Sequence, residues 1–267
     1  MIKKIIVLFI GIRAPWHITT FALRIASQNN AEVKAVFLED EQWKNPYPGD
    51  IESTGINLDG KSTEAEDEEL RNKNIEVFKT FCDDEKVQCH FENNVPLKQL
   101  IDFSSHSQLI VADLHDDLQR YSLKDILAEV HCPVCLISVN ATEIKNTILL
   151  YDGSDDALHA ITTYGNLFPK LYAEKSYLVT INPNKKLKKE ERESIAASLE
   201  QKFSNLQVVS LTGNPEQKLI EFLDDHTENT MVVMGAYGRS AISRLFHPGL
   251  SNIVLEQART SLFVAHG

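Results

Sequence analysis

Near its carboxyl end the chain reads Met231-Val232-Val233-Met234-Gly235-Ala236-Tyr237-Gly238-Arg239-Ser240 and runs on through His247-Pro248-Gly249 to Ser251. An apolar run of strand length breaks into two glycines three apart, and a helix-like segment begins about ten residues later. That order suits an anion: glycines without Cβ let backbone N–H groups approach phosphate oxygens, and a helix N-terminus adds partial positive charge. Arg239 can add a charge and Ser240 a hydroxyl. A second cluster, Tyr151-Asp152-Gly153-Ser154, ends another apolar run. A carboxylate there suits sugar hydroxyls, from which it accepts two hydrogen bonds.

Other reactive side chains have simpler explanations. Cys132-Pro133-Val134-Cys135 opens an apolar strand rather than a helix, and residues three apart on a strand point to opposite faces, so a redox or metal role is disfavoured. Cys82 and Cys89, with His131, lack metal-site spacing. Nothing pairs His106, His115 and His131 at i, i+4 on one helix, and no metal site is expected. Asp155 and Asp156 have a sufficient structural reason as helix-starting residues.

At 267 residues the chain exceeds typical single-domain size, and 43% hydrophobic with 24% charged residues is enough to bury a core in each of two domains. A net charge of -11 and a pI near 5.3 repel polyanions, which disfavours nucleic acid and anionic membrane as partners. A phosphate on a small molecule stays compatible. No stretch approaches the roughly 20 apolar residues needed to cross a bilayer. Four cysteines are too few for a disulfide scaffold and agree with a reducing, cytoplasmic setting.

The elements that must position these residues follow from periodicity. Ile5–Ile10 is apolar without alternation, as a parallel strand covered on both faces should be. A helix over His17–Ser27 and a strand over Val33–Leu38 complete a βαβ unit. After a loop over 41–62 comes a charged amphipathic helix from Ser62-Thr63-Glu64, then a strand over Val87–Phe91, a helix starting at Pro96, and a strand over Leu109–Ala112. A helix over Ser122–Val130 and a strand over Pro133–Val139 close this part. The order then repeats: strands at Asn146–Tyr151, Ser176–Ile181, Leu206–Leu211, Met231–Met234 and Leu262–Ala265, with helices at Asp155–Phe168, Lys188–Phe203, Pro215–His226 and Leu250–Ala258. Both parts read βαβαβαβαβ, which predicts two Rossmann-like α/β domains with parallel sheets, over 1–141 and 142–267. The divide at Asn140-Ala141-Thr142 leaves a linker of only a few residues, which predicts an intramolecular pseudo-dimer. The last strand is an apolar edge able to pair across a domain or chain interface, and a homodimer is compatible.

The strand-end Asp152-Gly153-Ser154, this element order, and the strand-Gly-x-x-Gly-loop-helix at the carboxyl end resemble the universal stress protein family in its tandem form. The resemblance implies two five-stranded parallel α/β sheets, a role as a stress-response binding or signalling module, and no dedicated catalysis. In a subset of the family, ATP is held by Gly-x2-Gly-x9-Gly-Ser/Thr with an Asp at the end of the first strand, and no magnesium ligand set is evident here. Carried over, Asp152 stands by the adenine and ribose, with Gly153 and Ser154 in the turn after it. Ile181 stands where the second strand's backbone meets the adenine. Gly235 and Gly238 are the first two motif glycines, followed by Arg239 and Ser240.

Nine residues after Gly238 the pattern departs: Pro248 and Gly249 stand in place of Gly and Ser/Thr. Proline has no N–H to donate. In a register shifted by one, Gly249 becomes the third glycine and Ser251 a cap or phosphate donor. The amino-terminal part departs further, with Ile10 in place of the aspartate and Asp113-Leu114-His115-Asp116-Asp117-Leu118 in place of the glycine loop. Carboxylates there repel a triphosphate. Two readings follow: a second domain that binds ATP or a related nucleotide beside a degenerate first domain, or a protein without nucleotide that acts through protein–protein contacts. A hydrolase or adenylyl-transfer reading lacks any evident general acid/base pair.

Overall fold

The computed structural model describes residues 2–10, 14–38, 63–114, 123–139, 143–169, 174–181, 189–226, 229–235 and 260–265. The expected loop over 41–62 and helix over 250–258 lie outside them. The first half runs β1 (Lys4–Ile10), α1 (Trp16–Asn29), β2 (Glu32–Leu38), α2 (Thr63–Asp84), β3 (Cys89–Val95), α3 (Leu97–Ser104), β4 (Leu109–Asp113), α4 (Leu123–Glu129) and β5 (Val134–Ile137). The second runs β6 (Asn146–Leu150), α5 (Asp155–Leu167), β7 (Lys175–Ile181), α6 (Lys189–Leu199), β8 (Leu206–Leu211), α7 (Pro215–Asp224), β9 (Thr230–Gly235) and β10 (Ser261–Ala265).

These strands form one ten-stranded sheet in the order β3-β2-β1-β4-β5-β10-β9-β6-β7-β8. Each half contributes five parallel strands, and the two sets meet where β5 and β10 pair antiparallel, Phe263 opposite Cys135. The final strand therefore ends at an interior seam, and the outer edges are β3 and β8. A seam hydrogen bond runs from the Ser138 N–H to the Ser261 hydroxyl at 3.1 Å, in a buried position.

Alternate residues of the central strands face two apolar layers, as the near-continuous Val/Ile/Leu runs require. Val7 and Phe9 lie in the layer that carries α1, α2, α5 and α6, a core that runs along one sheet face and includes Phe21, Phe78, Ile161 and Leu199. Ile6 and Leu8 lie in the opposite layer, which carries α3, α4 and α7 and includes Leu100, Ile126 and Leu223. Fully burying each large apolar side chain contributes about 1.5–3 kcal/mol. Cys135 lies in the first layer and Cys132 in the second, so their thiols do diverge. Both are free and buried.

Two local features differ from expectation. The third strand begins at Cys89 rather than Val87, because α2 ends in a turn with Lys86 at φ 55° and the Val87 N–H bonded to the Cys82 carbonyl at 2.9 Å. Cys82 and Cys89 also form a disulfide across that turn. Cysteine number argues against a scaffold of many bridges, but it does not preclude one local pair whose Cα atoms lie 6.4 Å apart.

Candidate functional site

In each half the strand order reverses direction about the first strand: β2 and β3 lie on one side of β1, β4 and β5 on the other; likewise β6 has β7 and β8 on one side, β9 and β10 on the other. Such switch points, beyond the carboxyl ends of the strands, are where open parallel sheets receive ligands. Asp152 follows the end of β6, Ile181 ends β7 and Gly235 ends β9. Leu149 pairs with Val233 and Leu150 with Val179, so these three residues border one crevice.

The turn after β6 is tightly built. Gly153 takes φ 90°, a conformation that strains residues with a Cβ. That lets the chain double back so the Ser154 N–H and hydroxyl both donate to Asp152 Oδ1, at 3.0 and 2.6 Å. The same hydroxyl accepts from the Ala157 N–H at 3.2 Å and caps α5. Asp152 is solvent-exposed, and among the described residues nothing bonds its Oδ2. Its carboxylate is thus oriented with one oxygen available to hydroxyl or amino groups. Asp155 and Asp156 occupy the first turn of α5, where their charges suit the helix dipole.

Gly235 has a steric role that motif reading did not foresee. A Cβ there would stand 2.9 Å from the carbonyl carbon and oxygen of Asp156 and 3.0 Å from the Ala157 nitrogen. Its φ is not positive, so the reason for glycine is the close approach of α5's first turn to β9. The missing Cβ therefore seats the helix whose cap holds Asp152. Gly238, Arg239, Ser240, Pro248, Gly249 and Ser251 lie outside the described residues.

In the first half the departure at Asp113 read from the sequence stands at the corresponding place, and its partner His17 is what sequence reasoning missed. Ile5 pairs with Leu109 as Thr147 pairs with Met231, so Asp113 takes the position of Gly235. His17, second residue of α1 as Asp156 is of α5, brings Nε2 to 3.4 Å from Asp113 Oδ1. The two residues are only 6% and 8% exposed. The pair is within ion-pair reach but is not aligned as a hydrogen bond. A histidine at a helix start and an aspartate ending the neighbouring strand were the available signal. Proline precedes α1 with no side-chain cap, unlike Ser154.

The remaining reactive groups are remote. Burial pushes the Cys132 thiol up to about 12 and raises the Cys135 thiol as well. His106 and His131 are exposed, and His115 lies outside the described residues. Among the described residues, no group of three His, Cys, Asp or Glu side chains is placed to hold a metal ion, and no helix is long and apolar enough to cross a membrane.

The strand order defines a tandem, mostly parallel α/β protein with a topological switch point in each half. No family model matches the sequence, and no curated protein does. Solved structures do share its fold. A universal stress protein from Archaeoglobus fulgidus DSM 4304 aligns over 98% of this chain and 96% of its own, at 13% identity and TM-score 0.63. A functionally unknown protein from Pseudomonas aeruginosa PAO1 aligns over 99% and 92%, at 11% identity and TM-score 0.62. A protein of P. aeruginosa UCBPP-PA14, provisionally assigned as a universal stress protein, aligns over 99% and 93%, at 13% identity and TM-score 0.63. The chain therefore has the tandem fold seen in universal stress proteins.

Proposed function

We propose that the chain is a tandem universal stress-type protein, divided near 141/142, whose second half binds ATP or a related adenine nucleotide as a binding or signalling module in stress response. The observation that carries this reading is the oriented Asp152 carboxylate at the β6 switch point, level with the ends of β7 and β9. Asp152 receives the ribose or base, the β7 end at Ile181 lines the base, and Gly238 with Arg239, Ser240, Gly249 and Ser251 holds phosphate. The first half contributes structure, because Asp113 puts a carboxylate where a phosphate would need backbone N–H groups. The protein works in the cytoplasm and has no catalytic role; self-association as a homodimer is compatible.

Equilibrium binding of a fluorescent ATP analogue to wild type and Gly238→Asp tests this. Binding by wild type, lost in the variant, is expected; equal binding, or none to either, contradicts it. The second reading, a nucleotide-free interaction protein, is favoured by Gly235, whose missing Cβ helix packing already explains. It predicts a melting temperature unmoved by millimolar ATP.

A further inference from the structure

The four cysteines fall into two chemical classes. Cys132 and Cys135 are free, buried on opposite faces of the sheet, and their thiols are held protonated by burial. Standing on opposite faces of the sheet, these two cannot pair with each other. Cys82 and Cys89 instead lie at the last turn of α2 and the first residue of β3, bridged across a turn whose residues Asp83, Asp84, Glu85, Lys86 and Gln88 are exposed. Cys82 is only 3% exposed, packed with the core of the first half, whereas Cys89 is half-buried at the sheet's outer edge.

Neither element depends on the bridge for its place. β3 is held to β2 by a parallel ladder from Val33–Cys89 to Leu38–Val95, and α2 is anchored by Ile75 and Phe78 in the core. Reduced Cys82 can remain in its site as a small apolar residue. The sequence separation is 7, so the closed loop is short and its entropic stabilisation lies at the low end for disulfides. Such a bond can be made and broken while the fold persists.

We propose that Cys82–Cys89 is a reversible thiol–disulfide modification site, entered through Cys89 and resolved by Cys82, with a glutathione-type disulfide as the oxidant. In the oxidising direction the Cys89 thiolate attacks one sulfur of the small disulfide, forming a mixed disulfide and releasing one thiol. The Cys82 thiolate then attacks Cys89 Sγ, forming the internal bond and releasing the second thiol. Two cysteine thiols are oxidised, one small disulfide is reduced to two thiols, and the two cysteine protons pass to the released thiolates. Reduction runs the same steps backwards, beginning with attack of a thiolate on Sγ of Cys89, the less buried residue of the pair.

The test uses the full chain in a Cys132→Ser/Cys135→Ser background, equilibrated across a series of reduced-to-oxidised glutathione ratios, acid-quenched, alkylated and weighed by mass spectrometry. The internal disulfide should dominate at the oxidising end and disappear at the reducing end with circular dichroism unchanged. In that background, Cys82→Ser should accumulate glutathione on Cys89 at least tenfold faster than Cys89→Ser does on Cys82. A bond that survives excess reduced glutathione in the folded protein overturns the proposal, as do dithiols that stay unoxidised throughout, equal rates in the two single variants, or loss of the folded spectrum on reduction. Because no nucleotide enters the assay, its outcome is independent of the proposed nucleotide site.

Discussion

The ends of β1 and β6 occupy equivalent places in their halves, and each must bring the following helix close to the neighbouring strand. The second half does so by subtraction: Gly235 has no side chain, α5 closes against β9, and Ser154 caps the helix while holding Asp152. The first half does so by addition. Asp113 carries a carboxylate in the place of that glycine, and His17 from the first turn of α1 comes to meet it. One solution leaves an exposed, oriented acceptor at the crevice; the other buries the polar groups. The difference teaches that a duplicated fold can meet one packing demand in two ways, since a buried pair can fill the place of a close backbone contact.

The comparison can be broken most forcefully at His17. His17→Ala takes a buried ring from beside Asp113 and should lower stability by about 3 kcal/mol, read from urea unfolding. Adding Asp113→Gly, the second half's solution, should recover part of that loss, which a double-mutant cycle would quantify. Gly235→Ala drives a methyl into the α5 backbone and should cost about 2 kcal/mol in the same assay. Replacing Pro248-Gly249 with Gly-Ser should tighten ATP binding about tenfold, or about 1.4 kcal/mol, by calorimetric titration; no gain would mean that these two positions do not limit the site. Ser154→Ala removes a helix cap and should cost about 1 kcal/mol while freeing Asp152 to rotate. Amide exchange confined to the first turn of α5 would check that outcome.

Much of the frame was legible because central parallel strands declare themselves as unbroken apolar runs. Ile5–Ile10, Leu109–Ala112 and Met231–Met234 all fall in strands of the sheet. The alternating βα order likewise predicted two five-stranded parallel sets, and the apolar last strand marked itself as a pairing edge. Local periodicity could not reveal that this edge pairs with β5 rather than with another chain, because antiparallel β5–β10 pairing joins residues more than a hundred positions apart. The beginning of β3 was misread since Val87, apolar and buried, completes the α2 turn instead of entering the ladder. At the site, Asp152, Gly153 and Ser154 were visible as strand-end turn chemistry. The second duty of Gly235 was not, since a steric contact with Asp156 and Ala157 exists only once α5 is docked. The His17–Asp113 pair left only a weak signal, a histidine at a helix start and an aspartate at a strand end, because the two are brought together only when α1 docks.

The asymmetry between the halves is tested most directly by the number of nucleotides held per chain. Native mass spectrometry of the full-length protein with added ATP should show a complex of one nucleotide per chain, lost in Asp152→Ala. Two nucleotides per chain, none at saturating ATP, or undiminished binding in Asp152→Ala would contradict the assignment of the site to the second half.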